Sequence, residues 1–188
     1  MLTKSLDNSL PGVILFEPGK YEDNRGFFME LYKIKSYANS GLEVKFVQDN
    51  YSHSRKNVIR GLHYQLKKPQ GKLVFVLKGA IFDVCVDIRF GSPYFGKWMG
   101  LNLSSDNRRQ LFIPKGFAHG FCVLSETADV IYKCTDYYAP DDEYGINWSD
   151  PNIFIDWPIS DPVISEKDES YKYLHEISRE LLPEYHVQ

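Results

Sequence analysis

The clearest alternation of apolar and polar positions lies in the middle of the chain. Across residues 81–89, Phe82, Val84, Val86 and Ile88 face one way, and Asp83, Cys85, Asp87 and Arg89 the other, which predicts a β-strand. Residues 72–78 form a run of β-formers followed by Gly79-Ala80. The two runs together predict a hairpin with a tight turn at Lys78-Gly79-Ala80. Further short strands are predicted over residues 12–16, 26–32, 43–51, 98–103, 110–113, 120–124 and 130–135. Turn signals separate them: Asp23-Asn24, Gly91-Ser92-Pro93, Ser105-Asp106-Asn107 and Pro114-Lys115-Gly116. Two segments carry helical signals. One spans residues 34–40; the other starts near residue 165, where Ser165-Glu166-Lys167-Asp168 has the form of a capping box. Many short strands and few helices predict an all-β sandwich or jelly-roll barrel, its short helices mainly in the C-terminal tail.

Composition sharpens this picture. The 188 residues suit one domain, with an N-terminal strand arm over about 1–50, a core over about 51–140 and a tail over about 141–188. Phe, Tyr and Trp make up 15% of the chain, enough for a substantial core and too many for a disordered one. The 22 Lys and Arg against 25 Asp and Glu give a net charge of −3, so no chain-wide field attracts nucleic acid or anionic lipid. No apolar run reaches the ~20 residues of a membrane span, and the first residues show no secretory h-region. Cys85, Cys122 and Cys134 form no CxxC pair and sit among apolar residues, as reduced core thiols of a cytoplasmic protein would.

Of the five histidines, His175 and His186 fall in the polar tail and are expected at the surface. His63 follows Arg60 and Gly61 and precedes Lys72, while His119 closes a Pro114-x-Gly116-x-x-His119 pattern. That pattern resembles the second motif of the cupin superfamily. In the first motif, Gln65 stands where a second histidine belongs, and Lys72 stands where a glutamate belongs, six residues before Gly79. An ammonium has no lone pair to donate and repels a cation, so no metal is expected, and a metal-dependent cupin oxygenase becomes a remote alternative. Three cationic or proton-active groups so close together favour an anionic ligand.

A closer resemblance runs through most of residues 12–168: DNRGFFME (23–30), QDNYSHSRKNVIRGLHYQ (48–65), QGKLVFVLKGAIFDVCVDIR (70–89), SPYFGKW (92–98), NRRQLFIPKGFAHGF (107–121), YKCTDYY (132–138), WSDPNIFIDWP (148–158) and ISEKD (164–168). This ordered set resembles the dTDP-4-dehydrorhamnose 3,5-epimerase family. The resemblance implies a cupin-type jelly roll that inverts C3 and C5 beside the C4 ketone of a dTDP-linked 4-keto-6-deoxy sugar. It implies His63 as base with Asp168 as its carboxylate partner, Tyr132 as acid and Lys72 as the cation for the enolate oxygen. It also implies substrate contacts from Arg25, Phe27, Glu30, Gln48, Asp49, Asn50, Arg60, Lys72, His119, Tyr138, Glu143 and Lys167. The N-terminal strands would reach the site of a second copy in a homodimer, which places Arg25 and Glu30 in the partner's site. Arg25, Arg60, Lys72 and Lys167 would together form a cationic pocket. From its strand position, Asp83 is expected on a polar face, orienting Arg60 or Lys72. A C3-only epimerase, or one for another nucleotide-linked keto sugar, would share all these features.

Overall fold

The structure is a computed structural model that describes residues 2–6 and 10–186. Two antiparallel sheets carry the fold. The six-stranded sheet runs, across its width, β1 (Thr3–Leu6), β2 (Ile14–Glu17), β10 (Gln110–Ile113), β7 (Lys72–Lys78), β12 (Thr127–Cys134) and β5 (Gln48–Arg55). The five-stranded sheet runs β13 (Glu143–Gly145), β6 (Ile59–Gln65), β11 (Phe117–Val123), β8 (Ala80–Asp87) and β9 (Trp98–Ser104). A separate two-stranded arm pairs β3 (Lys20–Asp23) with β4 (Gly26–Met29). The only α-helices among the described residues are α1 (Ile34–Asn39) and α2 (Glu166–Glu169), and three short 3-10 turns complete the tail side. This is the jelly-roll class expected from the strand pattern.

Period-2 burial explains how the sheets stack. Val74, Val76, Leu111, Ile113, Ala128 and Val130 point from one sheet, and Ile81, Cys85, Met99, Phe117, Phe121 and Val123 from the other, into one shared core. Each fully buried aliphatic side chain there contributes roughly 1.5–3 kcal/mol. The opposite face of the five-stranded sheet carries Leu62, Tyr64, Val84, Val86 and Ile88, and the tail covers it with Ile146, Ile153, Leu174 and Leu182. The opposite face of the six-stranded sheet packs Phe16, Leu73 and Phe112 against Tyr37 of α1 and Leu42. The tail is therefore an outer layer of the core. His175 and His186 are exposed, as expected.

The expected hairpin does not form. β7 pairs with β10 and β12, whereas β8 pairs with β11 and β9, so the turn carries the chain between sheets. Gly79, at φ 79°, makes the crossing possible: a Cβ there would lie 2.1 Å from the Thr127 carbonyl oxygen. Alternation fixed which side chains share a face but not which strand lies alongside. The expected strand over 43–51 forms only from Gln48 and continues to Arg55, while Val44 and Phe46 pack from a loop onto the outer face. The strand expected over 26–32 stops at Met29. β6, which carries His63, was not foreseen, nor were β1, β3 and β13. Gly61 interrupts the apolar alternation of β6. It sits at φ 109° where β6 meets β11, and a Cβ would fall 2.6 Å from both Gly120 Cα and His119 O. Two glycines thus let the strands approach at an irregular register beside His63 and His119.

Candidate active site

His63, on β6, points between the two sheets near one end of the barrel. Its Nε2 lies 2.7 Å from Asp168 Oδ1, and Asp168 Oδ2 accepts a hydrogen bond from the Gly61 N–H at 3.2 Å. Asp168 reaches this place because α2 is capped at its start: Ser165 Oγ accepts the Asp168 N–H at 3.1 Å. The capping box is thus half used, since the carboxylate turns to His63 and not back to the cap. Burial alone would raise the Asp168 carboxyl. The hydrogen bonds from His63, Gly61 and Ser165, with the histidine's charge, outweigh it and hold the group below the usual Asp value. The other ring nitrogen, Nδ1, faces inward, 3.7 Å from Glu143 Oε1.

Tyr132 and Lys72 come from the facing sheet. In the ladder Tyr132 stands opposite Val74 on one side and Asn50 on the other, and Cys134 opposite Lys72 and Gln48. Directly opposed residues share a face, so these side chains look into the barrel alongside Ala128 and Val130. Lys72 Nζ lies 6.0 Å from the Tyr132 ring centroid. Burial pushes the Lys72 ammonium below the ordinary lysine value, against the opposing pull of Cys134, Glu143 and Asp83. Burial also raises the Tyr132 phenol, helped by Cys134 and opposed by Arg60, so it holds its proton at neutral pH.

His119 pairs with His63 across β11 and β6. Its Nε2 lies 2.8 Å from Asp83 Oδ1, both residues being buried. Asp83 therefore faces the barrel interior, where it partners His119. It does not bond Arg60, whose Nε donates to Ser54 Oγ at 2.9 Å; toward Lys72 it acts only through its charge. Gln65 is structural: its amide donates to the carbonyls of Lys68 and Tyr137 and accepts the Ala139 N–H. With both histidines held by carboxylates, Gln65 spent on backbone and the Lys72 ammonium on the facing sheet, this donor set does not suit a divalent ion.

The remaining expected contacts divide into two groups. Gln48, Asn50, Arg60, Tyr138, Glu143 and Lys167 neighbour His63, Tyr132, Cys134 or one another. Gln48 accepts the Tyr138 N–H, Asn50 donates to Cys134 Sγ, and Glu143 Oε2 accepts from both Tyr138 and Lys167. Burial would raise Glu143, but the bonds from Lys167 and Tyr138 and the charge of His63 bring it below the usual value. Asp49 projects from the other face of β5 and pairs with Lys133. Arg25, Phe27 and Glu30 lie on or beside the arm: Arg25, 86% exposed, pairs with Asp23, Phe27 lies under Arg108, and Glu30 meets Lys33. Among the described residues, no hydrogen bond, ion pair or ring contact joins these three to His63. The fourfold cationic pocket is thus not assembled within this chain, because Arg25 is on the arm and Glu143 neutralises Lys167. Tyr171 escaped the sequence reading altogether. Its ring stands edge-to-face with His63 at 5.8 Å between centroids.

A family model described as dTDP-4-dehydrorhamnose 3,5-epimerase matches residues 7–176. The chain belongs to the dTDP-4-dehydrorhamnose 3,5-epimerase family. It is 53% identical over 174 residues to the dTDP-4-dehydrorhamnose 3,5-epimerase of Methanothermobacter thermautotrophicus, covering 91% of this chain and 94% of that one. It is 54% identical over 166 residues to the enzyme of the same name from Pseudomonas aeruginosa, covering 87% and 92%. A crystal structure of the Legionella pneumophila dTDP-6-deoxy-D-glucose-3,5-epimerase, in complex with dTDP-4-keto-L-rhamnose, superposes with a TM-score of 0.96, 51% identity and full coverage of both chains. This family member is thus an isomerase, with the jelly-roll class that its strand pattern predicted and the cupin-like barrel that its motifs resembled. No helix among its described residues is long and apolar enough to cross a membrane.

Proposed function

We infer that this chain inverts C3 and C5 of dTDP-4-dehydro-6-deoxy-D-glucose to give dTDP-4-dehydro-L-rhamnose, with His63, Tyr132, Lys72 and Asp168 as its working groups. The observation that supports this reading is that His63 and Tyr132 lie on facing sheets and both neighbour Glu143, with Lys72 beside the tyrosine. Inversion next to a ketone requires a base on one side of the carbon and an acid on the other. His63 Nδ1 takes the α-proton, since Nε2 is occupied by Asp168. The electron pair of the broken C–H bond moves into an enolate on C4–O, stabilised by the buried Lys72 ammonium. Tyr132 then protonates the carbon from the other side; the imidazolium releases its proton to solvent and the phenolate recovers one from it. The same sequence at the second flanking carbon completes the reaction. Asp168 stabilises the imidazolium that forms at each step.

Arg60 and His119 would contact the diphosphate or sugar, and Gln48, Asn50, Tyr138, Glu143 and Lys167 the rest of the ligand. The arm suits a homodimer in which Arg25, Phe27 and Glu30 serve the second copy's site; Tyr21 and Phe28, each 67% exposed, give it an apolar surface. Sedimentation of the purified protein at micromolar concentration checks this, and a monomer would exclude it. A cytoplasmic setting, which keeps thiols reduced, suits its three buried cysteines.

The test is incubation with the dTDP-4-keto sugar in D₂O, read by NMR. Deuterium at both C3 and C5 is expected, and none after His63→Asn. Exchange at C3 alone would assign it to the C3-specific activity named for a 37% identical relative from Streptomyces niveus. No exchange at either carbon would overturn the reading.

A further inference from the structure

We propose that Tyr171, on the segment after α2, is a positioning residue that locks the His63 imidazole through its ring, in a slot that exists only because residue 145 is glycine. The inference rests on the reading of His63 as the base. Asp168 fixes one ring atom of His63 but leaves the imidazole able to swing about that single hydrogen bond. The Tyr171 ring, tilted 71° to the imidazole, stands against it. Gly145 is the β13 residue directly opposite His63, and a Cβ on it would lie 2.3 Å from a Tyr171 ring carbon. No side chain fits between the ladder position facing the base and the tyrosine ring. Asn147 anchors the loop from two sides: its side chain donates to the Glu169 and Tyr171 carbonyls, and its N–H to the Lys172 carbonyl. The segment that brings Asp168 to His63 is therefore the one that brings Tyr171.

The hydroxyl has a different status. It is buried, and its polar neighbours are the Lys167 ammonium and the Glu143 carboxylate. The contact with His63 is made by the ring, which stands edge-to-face with the imidazole.

The experiment compares Tyr171→Phe, Tyr171→Ala and Gly145→Ala by steady-state kinetics and D₂O exchange with the dTDP-4-keto sugar, after thermal unfolding has shown that each variant is folded. Tyr171→Phe keeps the ring against His63 and should lower kcat by less than about twofold. Tyr171→Ala and Gly145→Ala should each lower kcat by about 10- to 100-fold, as for a base displaced by a fraction of an ångström to one ångström, with KM within about twofold of wild type. Gly145→Ala keeps the tyrosine and displaces it, so it supports the inference even if Tyr171→Ala does not fold. Unchanged kcat in folded Gly145→Ala, or a loss confined to KM, would overturn it, as would a loss of kcat in Tyr171→Phe as large as in Tyr171→Ala. Absence of exchange in the wild-type protein would instead overturn the assignment of the reaction.

Discussion

His63 Nε2 and Asp168 Oδ1 are 2.7 Å apart although 105 residues separate them in the chain. Sheet and tail are joined at the residue proposed as the base, so that reading makes the chemistry depend on the tail's docking.

Asp168→Asn should therefore lower kcat by about 10²-fold or more, since an amide cannot balance the imidazolium. The same carboxyl also links stability to pH. Its folded pKa lies below the unfolded value near 3.8, so its stabilising contribution is complete above that value and is lost as pH falls through the folded one. Thermal unfolding between pH ~3 and ~7 should show a shallower acid decline in Asp168→Asn than in the wild type.

Tyr132→Phe keeps the ring and removes the proton donor. Turnover to the inverted product should fall about 10²-fold or more while the variant still exchanges solvent deuterium into substrate, because His63 can return a deuteron to the face it deprotonates. NMR of recovered substrate and product separates the two. Since burial holds the phenol above its ordinary value of 10.0, Tyr132 should impose no alkaline limb on kcat below pH ~10.

Lys72→Met should lower kcat by about 10²–10³-fold through loss of enolate stabilisation. Stability at neutral pH should be unchanged or higher, because a buried ammonium carries a desolvation cost that a thioether does not. The folded pKa of Lys72 lies below the unfolded 10.5, so that cost is full below the folded value and is relieved as pH rises from it toward 10.5. Denaturant unfolding from pH ~7 to ~10.5 should show the wild type gaining on the variant.

Ser165→Ala removes the cap of α2 and should cost about 1 kcal/mol, a fall in Tm of ~2–4 °C for a chain of this size. Because Asp168 is the residue whose N–H that cap receives, kcat should fall more than KM rises, which calorimetry and kinetics on one preparation will show.

The sequence by itself determined the all-β class, the faces of most strands and the chemical types in the site. These follow from short-range rules. Alternation assigns Tyr132, Val130 and Ala128 to one face whatever lies beside them, and a lysine in place of a ligand excludes a cation wherever it sits. The resemblance added His63, Asp168 and Tyr132 as a set, of which the fold bonds the first two and sets the third on the facing sheet. Only the tertiary structure decided how the strands combine. Gly79 sends β7 and β8 into different sheets, because two strands with similar patterns can pair with each other or with others, and burial across the whole barrel makes the choice. Asp83 looked like a residue of a polar strand face, yet it lies inside against His119, since a buried carboxylate is tolerated where a histidine pairs it. β6 was hidden because Gly61 breaks the alternation at the very bulge that sets His63 beside His119. Tyr171 carried no local signal at all. Its role arises from a gap over Gly145, and such a gap exists only once tail and sheet are packed together.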